Sequence, residues 1–205
     1  AAPGLCLGVA LAFGLLRLSS SPATGSSGVR AAIVQGAVPI QVYWESATRP
    51  AGQRFLSDLY LRLTRRASEL SPDLILWPEQ PVLGDLLGQD RLDSMVSSLA
   101  RELGIPMLVG ASTPRAGEGP SRPTPSPFQF NSALLLSSDG DLLGQYDKRR
   151  LTLLEPYQPG KRSPVMASPL GPLGLFICEE SLYPSFRREV VRRGAAVLVE
   201  MSNDA

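Results

Sequence analysis

Leu173-Gly174-Leu175-Phe176-Ile177-Cys178-Glu179-Glu180-Ser181 runs from an apolar stretch straight into a cysteine and two glutamates. A short apolar run bounded by turn residues, here Gly171-Pro172 before it, reads as a buried strand over Leu173–Ile177. Downstream, Phe186–Arg193 has helical character, Gly194 stops it, and Ala196–Val199 is strand-like again. Upstream the same alternation continues. Val29–Gln35 reads as a strand and Gln53–Leu70 as a helix, with Phe55, Leu56, Leu59, Leu63 and Leu70 at helical spacing. Asp73–Trp77 is a short strand stopped by Pro78. Arg91–Leu103 is a helix closed by Gly104 and Pro106, and Pro106–Ser112 is a strand. Residues 114–127 carry five prolines and read as a loop. Ser132–Ser137 and Asp141–Tyr146 flank Ser138-Asp139-Gly140, a strong hairpin signal. Alternating strands and helices with one hairpin imply an α/β domain with a mixed sheet.

The ends differ from this middle. Residues 1–18 are almost wholly apolar, with Arg17 the one charge. A bilayer-spanning helix needs roughly 20 apolar residues. The run reads as the end of a transmembrane helix, with a signal-peptide core or a buried soluble helix as alternatives. Residues 19–28, rich in Ser and Gly, read as a linker. The folded domain is expected over 29–205. The chain starts on Ala1 and stops just after a strand-like run, at Met201-Ser202-Asn203-Asp204-Ala205, so it reads as part of a longer reading frame.

Composition narrows the chemistry. The 205 residues are 43% apolar and 19% charged, with a net charge of +1, so no global field points to nucleic acid. There is no histidine, which removes Ser-His-Asp and Cys-His sites and the commonest zinc ligand. Acid–base work falls to carboxylates, Lys, Tyr or Cys.

Three residues stand at strand ends, where open α/β sheets place their sites. Cys178 follows a strand directly, so its thiol and the next backbone N–H can face one pocket; a buried structural cysteine is the plain alternative. Glu79 follows Trp77-Pro78, and Pro78 cannot continue a ladder; it also reads as an ordinary loop glutamate. Lys148 follows the hairpin in Gln145-Tyr146-Asp147-Lys148-Arg149-Arg150, as a buried ammonium or as part of a solvated basic cluster. Cys6, in the apolar run, reads as a small buried hydrophobe, and a disulfide to Cys178 stays open. Arg187, Arg188, Arg192 and Arg193 fall on one helix and read as a solvated face, with contact to anionic headgroups as the sharper alternative.

Trp77-Pro78-Glu79, Tyr146-Asp147-Lys148 and Cys178-Glu179-Glu180, in this order and at these strand ends, resemble the Glu-Lys-Cys triad of the carbon–nitrogen hydrolase (nitrilase) superfamily. Ala32-Ile33-Val34-Gln35-Gly36 is similar to its first strand, and Gly194-Ala195-Ala196 leading to Ser202-Asn203-Asp204 to a later one. The resemblance covers about residues 30–205 and implies an α-β-β-α sandwich with mixed sheets. Within the superfamily, Val34-Gln35-Gly36 with Trp44, the stretch Lys148–Tyr157 and Ser202-Asn203-Asp204-Ala205 resemble the apolipoprotein N-acyltransferases. Arg150 stands where that family usually has His, Glu155 falls one residue early, and Glu179 replaces a common Tyr.

The resemblance implies catalysis by Glu79, Lys148 and Cys178 without metal or organic cofactor. Glu79 would take the thiol proton, and Lys148 would favour the thiolate. Lys148 and the Glu179 backbone N–H would hold the oxyanion. Glu155 and Glu180 would orient Lys148 and the loop, and Trp44 would pack on substrate or in the core. The implied partners are a phospholipid acyl donor, a diacylglyceryl lipoprotein acceptor and the membrane. The implied location is the bacterial inner membrane, with this domain on its outer, periplasmic face. A small-substrate amidase with the same triad and a non-catalytic domain of the same fold are the rival readings.

Overall fold

A computed structural model describes residues 2–19, 28–47, 49–82, 92–113, 130–153 and 155–203. In chain order the elements are α1 (Ala2–Ser19), β1 (Ala31–Ile33), α2 (Ile40–Ala47), α3 (Pro50–Ser68), β2 (Leu74–Leu76), α4 (Leu92–Leu103), β3 (Met107–Thr113), β4 (Phe130–Leu136), β5 (Leu142–Asp147), β6 (Val165–Met166), β7 (Leu173–Ile177), a 3-10 turn (Cys178–Leu182), α5 (Pro184–Arg192) and β8 (Val197–Met201).

The strands form a five-stranded sheet in order β1-β2-β3-β4-β5 and a three-stranded sheet in order β6-β7-β8. Both are mixed. β1, β2 and β3 run parallel, whereas β3–β4 and β4–β5 are antiparallel. β7 pairs parallel with β8 and antiparallel with β6. The antiparallel β4–β5 pair is the hairpin that Ser138-Asp139-Gly140 announces. There Ser137 Oγ accepts the N–H groups of Asp139 and Asp141, and Gly140 takes φ +81°.

Alternation along the strands builds two cores. Ile75, Met107, Val109, Ala111, Leu134 and Leu136 face α2, α3 and α4. Leu74, Leu108, Ala133, Leu135 and Tyr146 face the other way, onto Leu173, Leu175 and Ile177 of β7 and Val199 and Met201 of β8. The outer face of β7 then receives α5: Phe176 meets Phe186 edge-on at 5.8 Å. Gly174 makes this approach possible, since a Cβ there would lie 2.3 Å from Val190 Cγ1. The layers are therefore helices, sheet, sheet, helix.

Trp77 joins the first core to the exit of β2. It is 1% exposed, its Nε1 donates to Thr64 Oγ1 at 2.8 Å, and Tyr60 lies 5.1 Å from its ring. Thr64 donates in turn to the Tyr60 carbonyl at 2.7 Å, so α3 grips the residue two before Glu79.

Several expectations need correcting. β1 is shorter than Val29–Gln35, because past Ile33 the chain turns toward α2, a helix the periodicity did not announce. Cys6 is exposed rather than buried, and both cysteines are free, so no disulfide joins them. The described α1 side chains that are large and apolar, Leu5 through Leu18, are exposed on every side, unlike a soluble helix with one polar face. Among the described residues no helix is long and apolar enough to cross a membrane. Of the linker read over 19–28, residues 20–27 lie outside the described residues and Ser19 ends α1; the proline-rich loop over 114–127 lies outside them as well.

Replacing Trp77 by Phe removes one buried hydrogen bond and should cost about 1–2 kcal/mol. Trp77→Ala, which also opens a cavity, should cost about 3–5 kcal/mol. Urea unfolding of the two variants beside the parent checks this order.

Candidate active site

The exits of β2, β5 and β7 converge. At the first, Trp77 N–H still pairs with Leu108 O at 2.9 Å, and Pro78 then ends the ladder. The Pro78-Glu79-Gln80 segment lies against β3 at Gly110, where a Cβ would stand 2.1 Å from the Pro78 carbonyl oxygen. Gln80 adopts φ +43°, costly for a residue with a side chain, and its carbonyl is held by Tyr43 Oη at 2.6 Å. Burial pushes the Tyr43 hydroxyl far above its ordinary range, with smaller pushes from Tyr157, Tyr60 and Glu79, so it stays a neutral donor.

At the second exit, Lys148 leaves β5 with its N–H on Asn131 O at 2.7 Å and its carbonyl on Gly160 N–H at 2.8 Å. Its side chain is wholly buried. Nζ lies 2.5 Å from Glu155 Oε1 and 3.5 Å from Glu79 Oε1. Burial opposes the ammonium, but the hydrogen bond to Glu155 and the charges of Glu79, Glu155 and Cys178 outweigh it and hold Lys148 above its ordinary value. Asn131 Nδ2 donates to Glu79 Oε1 at 2.6 Å.

At the third exit the strand breaks abruptly. Cys178 adopts φ +54°, a left-handed conformation that a non-glycine residue takes only when its surroundings impose it. The chain turns directly into the 3-10 helix. The Glu179 N–H and the Ser202 side chain both hydrogen-bond the Cys178 sulfur. Burial raises the thiol above its ordinary value and Glu79 raises it further, while Lys148 and the two hydrogen bonds pull the other way without winning. The resting group is therefore a thiol.

Glu180 links two of these exits. It is fully buried. Its Oε1 accepts Tyr146 Oη at 2.8 Å, Arg149 N at 2.8 Å and Arg150 N at 3.0 Å, and its Oε2 accepts Ile177 N at 3.0 Å. One carboxylate thus ties the residue before Cys178 to the residues after Lys148. Burial, then the Glu180 charge and hydrogen bond, keep the Tyr146 phenol protonated as a donor.

The remaining expected residues are placed differently. Glu179 exposes its side chain and contributes only its N–H. Trp44 is 54% exposed on α2, edge-on to Tyr43 at 5.3 Å, so it is not a core aromatic; Tyr43 is the ring that turns inward. Arg187, Arg188, Arg192 and Arg193 are all exposed. Arg150 stacks over Tyr183 at 4.5 Å. A cavity of about 330 Å³ opens beside the exit of β2, bounded by Tyr43, Trp77, Pro78 and, from the end of β8, Met201, Ser202 and Asn203; Glu79, Lys148 and Cys178 do not line it. Among the described residues no cluster of acidic or thiol side chains is arranged to hold a metal. Sequence reading missed Asn131, Tyr43, Tyr146 and Ser202. Tyr146 and Ser202 stood in quoted motifs without a role of their own, and Asn131 lay one residue before the expected strand Ser132–Ser137, which begins at Phe130.

The model of the family described as carbon-nitrogen hydrolase matches residues 30–205. Among curated proteins, an apolipoprotein N-acyltransferase of Geobacter metallireducens is 29% identical over 96% of this chain and 40% of its own length. A deaminated glutathione amidase of Mus musculus is 29% identical over 75% of this chain and 47% of its own length. Among solved structures, an amidase of Nesterenkonia AN1 from the nitrilase superfamily is 25% identical, with a TM-score of 0.63 over 86% of this chain and 65% of that one. The chain thus spans less than half of the curated relatives named and about two thirds of the solved amidase.

Two measurements probe the geometry. Peptide-level mass spectrometry of iodoacetamide labelling reports the thiolate fraction of Cys178 apart from Cys6. Labelling should rise only above the pH range of an ordinary cysteine. Glu79→Gln should shift it to lower pH and Lys148→Met to higher pH. Glu180→Ala, which strands Tyr146 Oη and three backbone N–H groups, should cost at least about 3 kcal/mol in urea unfolding.

Proposed function

Since the chain belongs to the carbon–nitrogen hydrolase family, we propose that it is the catalytic portion of an N-acyltransferase using Glu79, Lys148 and Cys178. It moves a fatty acyl chain from a phospholipid to the α-amine of a diacylglyceryl-cysteine lipoprotein. The observation that carries this reading is the extent of the Geobacter match. An alignment over 96% of 205 residues has to enter the apolar segment that precedes the domain, whereas the mouse amidase match covers 75%. The exposed apolar α1 supports the same reading, as the piece of a membrane anchor nearest the domain. The domain then works at the outer, periplasmic face of the bacterial inner membrane.

The chemistry proceeds in two halves. Glu79 accepts the Cys178 proton as Sγ attacks the ester carbonyl of the donor. The Glu179 N–H and the Lys148 ammonium hold the oxyanion. As it collapses, the C–O bond breaks and Glu79 protonates the departing lysophospholipid alkoxide, leaving a thioester on Cys178. The acceptor amine then attacks this carbonyl and gives its proton to Glu79. The C–S bond breaks, an amide forms, and the proton returns to Cys178. Glu155 keeps the Lys148 ammonium in place. Glu180 fixes the two loops against each other.

An amidase has its own support in the amidase relatives and in the shared fold. Intact mass of the full-length protein in detergent with phosphatidylethanolamine separates the two. The expected result is a gain of one acyl chain, labile to hydroxylamine, absent in Cys178→Ala and discharged by a diacylglyceryl peptide. No adduct, with hydrolysis of small amides instead, makes the protein an amidase. Glu79→Gln and Lys148→Ala should each slow acylation by about a hundredfold or more.

A further inference from the structure

Asn131 lies within β4, 2% exposed, where the neighbouring residues are apolar or small. Its side chain spends its donor on one atom, Glu79 Oε1, at 2.6 Å. The orientation of the amide follows from chemistry: an ionised carboxylate only accepts, so the nitrogen must face it. Lys148 Nζ approaches the same oxygen, at 3.5 Å. Among the described residues, both hydrogen bonds given to the Glu79 carboxylate thus fall on Oε1.

The other end of the amide argues against a purely structural role. Asn131 Oδ1 is buried and has no hydrogen-bond partner among the described residues. Buried side-chain amides that hold a fold together are normally satisfied at both ends. An apolar side chain would serve β4 without this cost. The main-chain carbonyl of Asn131, which accepts Lys148 N–H, would do so whatever the side chain.

We propose that Asn131 is a positioning residue for Glu79: with Lys148 it occupies Oε1, fixes the carboxylate plane, and leaves Oε2 as the oxygen that takes the Cys178 proton. This rests on the reading of Glu79 as the base. The amide also matters for what it is not. A carboxylate in its place, 2.6 Å from Glu79, would have to share a proton with it, and a base that already holds a proton cannot take another.

Single-turnover acylation of Cys178 by p-nitrophenyl butyrate tests this, in full-length protein in detergent, followed by p-nitrophenolate release and intact mass across pH. Asn131→Ala should acylate about tenfold or more slowly at saturating ester, with little change in the concentration needed for half-saturation. Asn131→Asp, nearly identical in shape, should move the acid limb of the profile to higher pH by about one unit or more. If Asn131→Ala fails to fold, the Asn131→Asp profile decides alone. Wild-type rates and an unmoved acid limb in the variants overturn the proposal, and so does a uniform loss with the limb unmoved. Glu79→Gln is run beside them. If it acylates at the wild-type rate, the base assignment itself has failed; if it is inert while the Asn131 variants match wild type, only the present inference has.

Discussion

A centre of the kind proposed, assembled from two separate sheets, works only if the sheets hold a fixed distance, because fractions of an ångström matter to a proton transfer. Here that distance rests on one buried carboxylate. Lys148 leaves the five-stranded sheet and Cys178 the three-stranded one, and Glu180 accepts N–H groups from both sides. The apolar core between the sheets brings them together but is not directional. Leu173, Leu175 and Ile177 would pack nearly as well after a small slide over Leu108 and Leu135. The bonds to Glu180 would not survive it.

Around this joint the local backbone is arranged against its own preferences. Cys178 and Gln80 both take positive φ, and Gly110 admits the Pro78-Glu79-Gln80 segment where any side chain would collide with the Pro78 carbonyl. Such strain persists where the surroundings over-determine it. Tyr43 on Gln80, Thr64 on Trp77 and Glu180 on Ile177 are those surroundings. The helices of the first core therefore do more than cover a sheet; they hold the strand exit that carries Glu79.

Much of the architecture was legible because strands and turns write short-range signals. Leu173–Ile177 matches its apolar run residue for residue, and Ser138-Asp139-Gly140 marks its hairpin. The positions of Glu79, Lys148 and Cys178 at strand ends were legible for the same reason. What was not legible depends on contacts between distant elements. α2 is too short and too exposed to show a clear period, and β6 is a two-residue strand that exists only through β7. Cys6 was read as buried on hydrophobicity alone, but α1 is exposed on all sides. Asn131, Tyr146 and Ser202 reach the site across 52, 34 and 24 residues of chain, respectively to Glu79, Glu180 and Cys178, and no local pattern encodes such a distance.

The charges at the site bear on the base that the proposed mechanism assigns to Glu79. Formally, Glu79 and Glu155 set two negative charges against the one positive charge of Lys148, so a thiolate would add a third negative charge to a largely buried cluster. Burial and Glu79 together keep the thiol protonated despite Lys148. A resting thiolate would be costly in this setting. The proposed transfer of the proton from Cys178 to Glu79 would avoid the cost, because the total charge of the cluster is then the same before and after. Glu155 hydrogen-bonds Nζ through Oε1, so removing Lys148 would leave that carboxylate without its partner. On the proposed mechanism, burial and Glu79 keep Cys178 a thiol until Glu79 takes its proton, so nucleophile activation is coupled to Glu79.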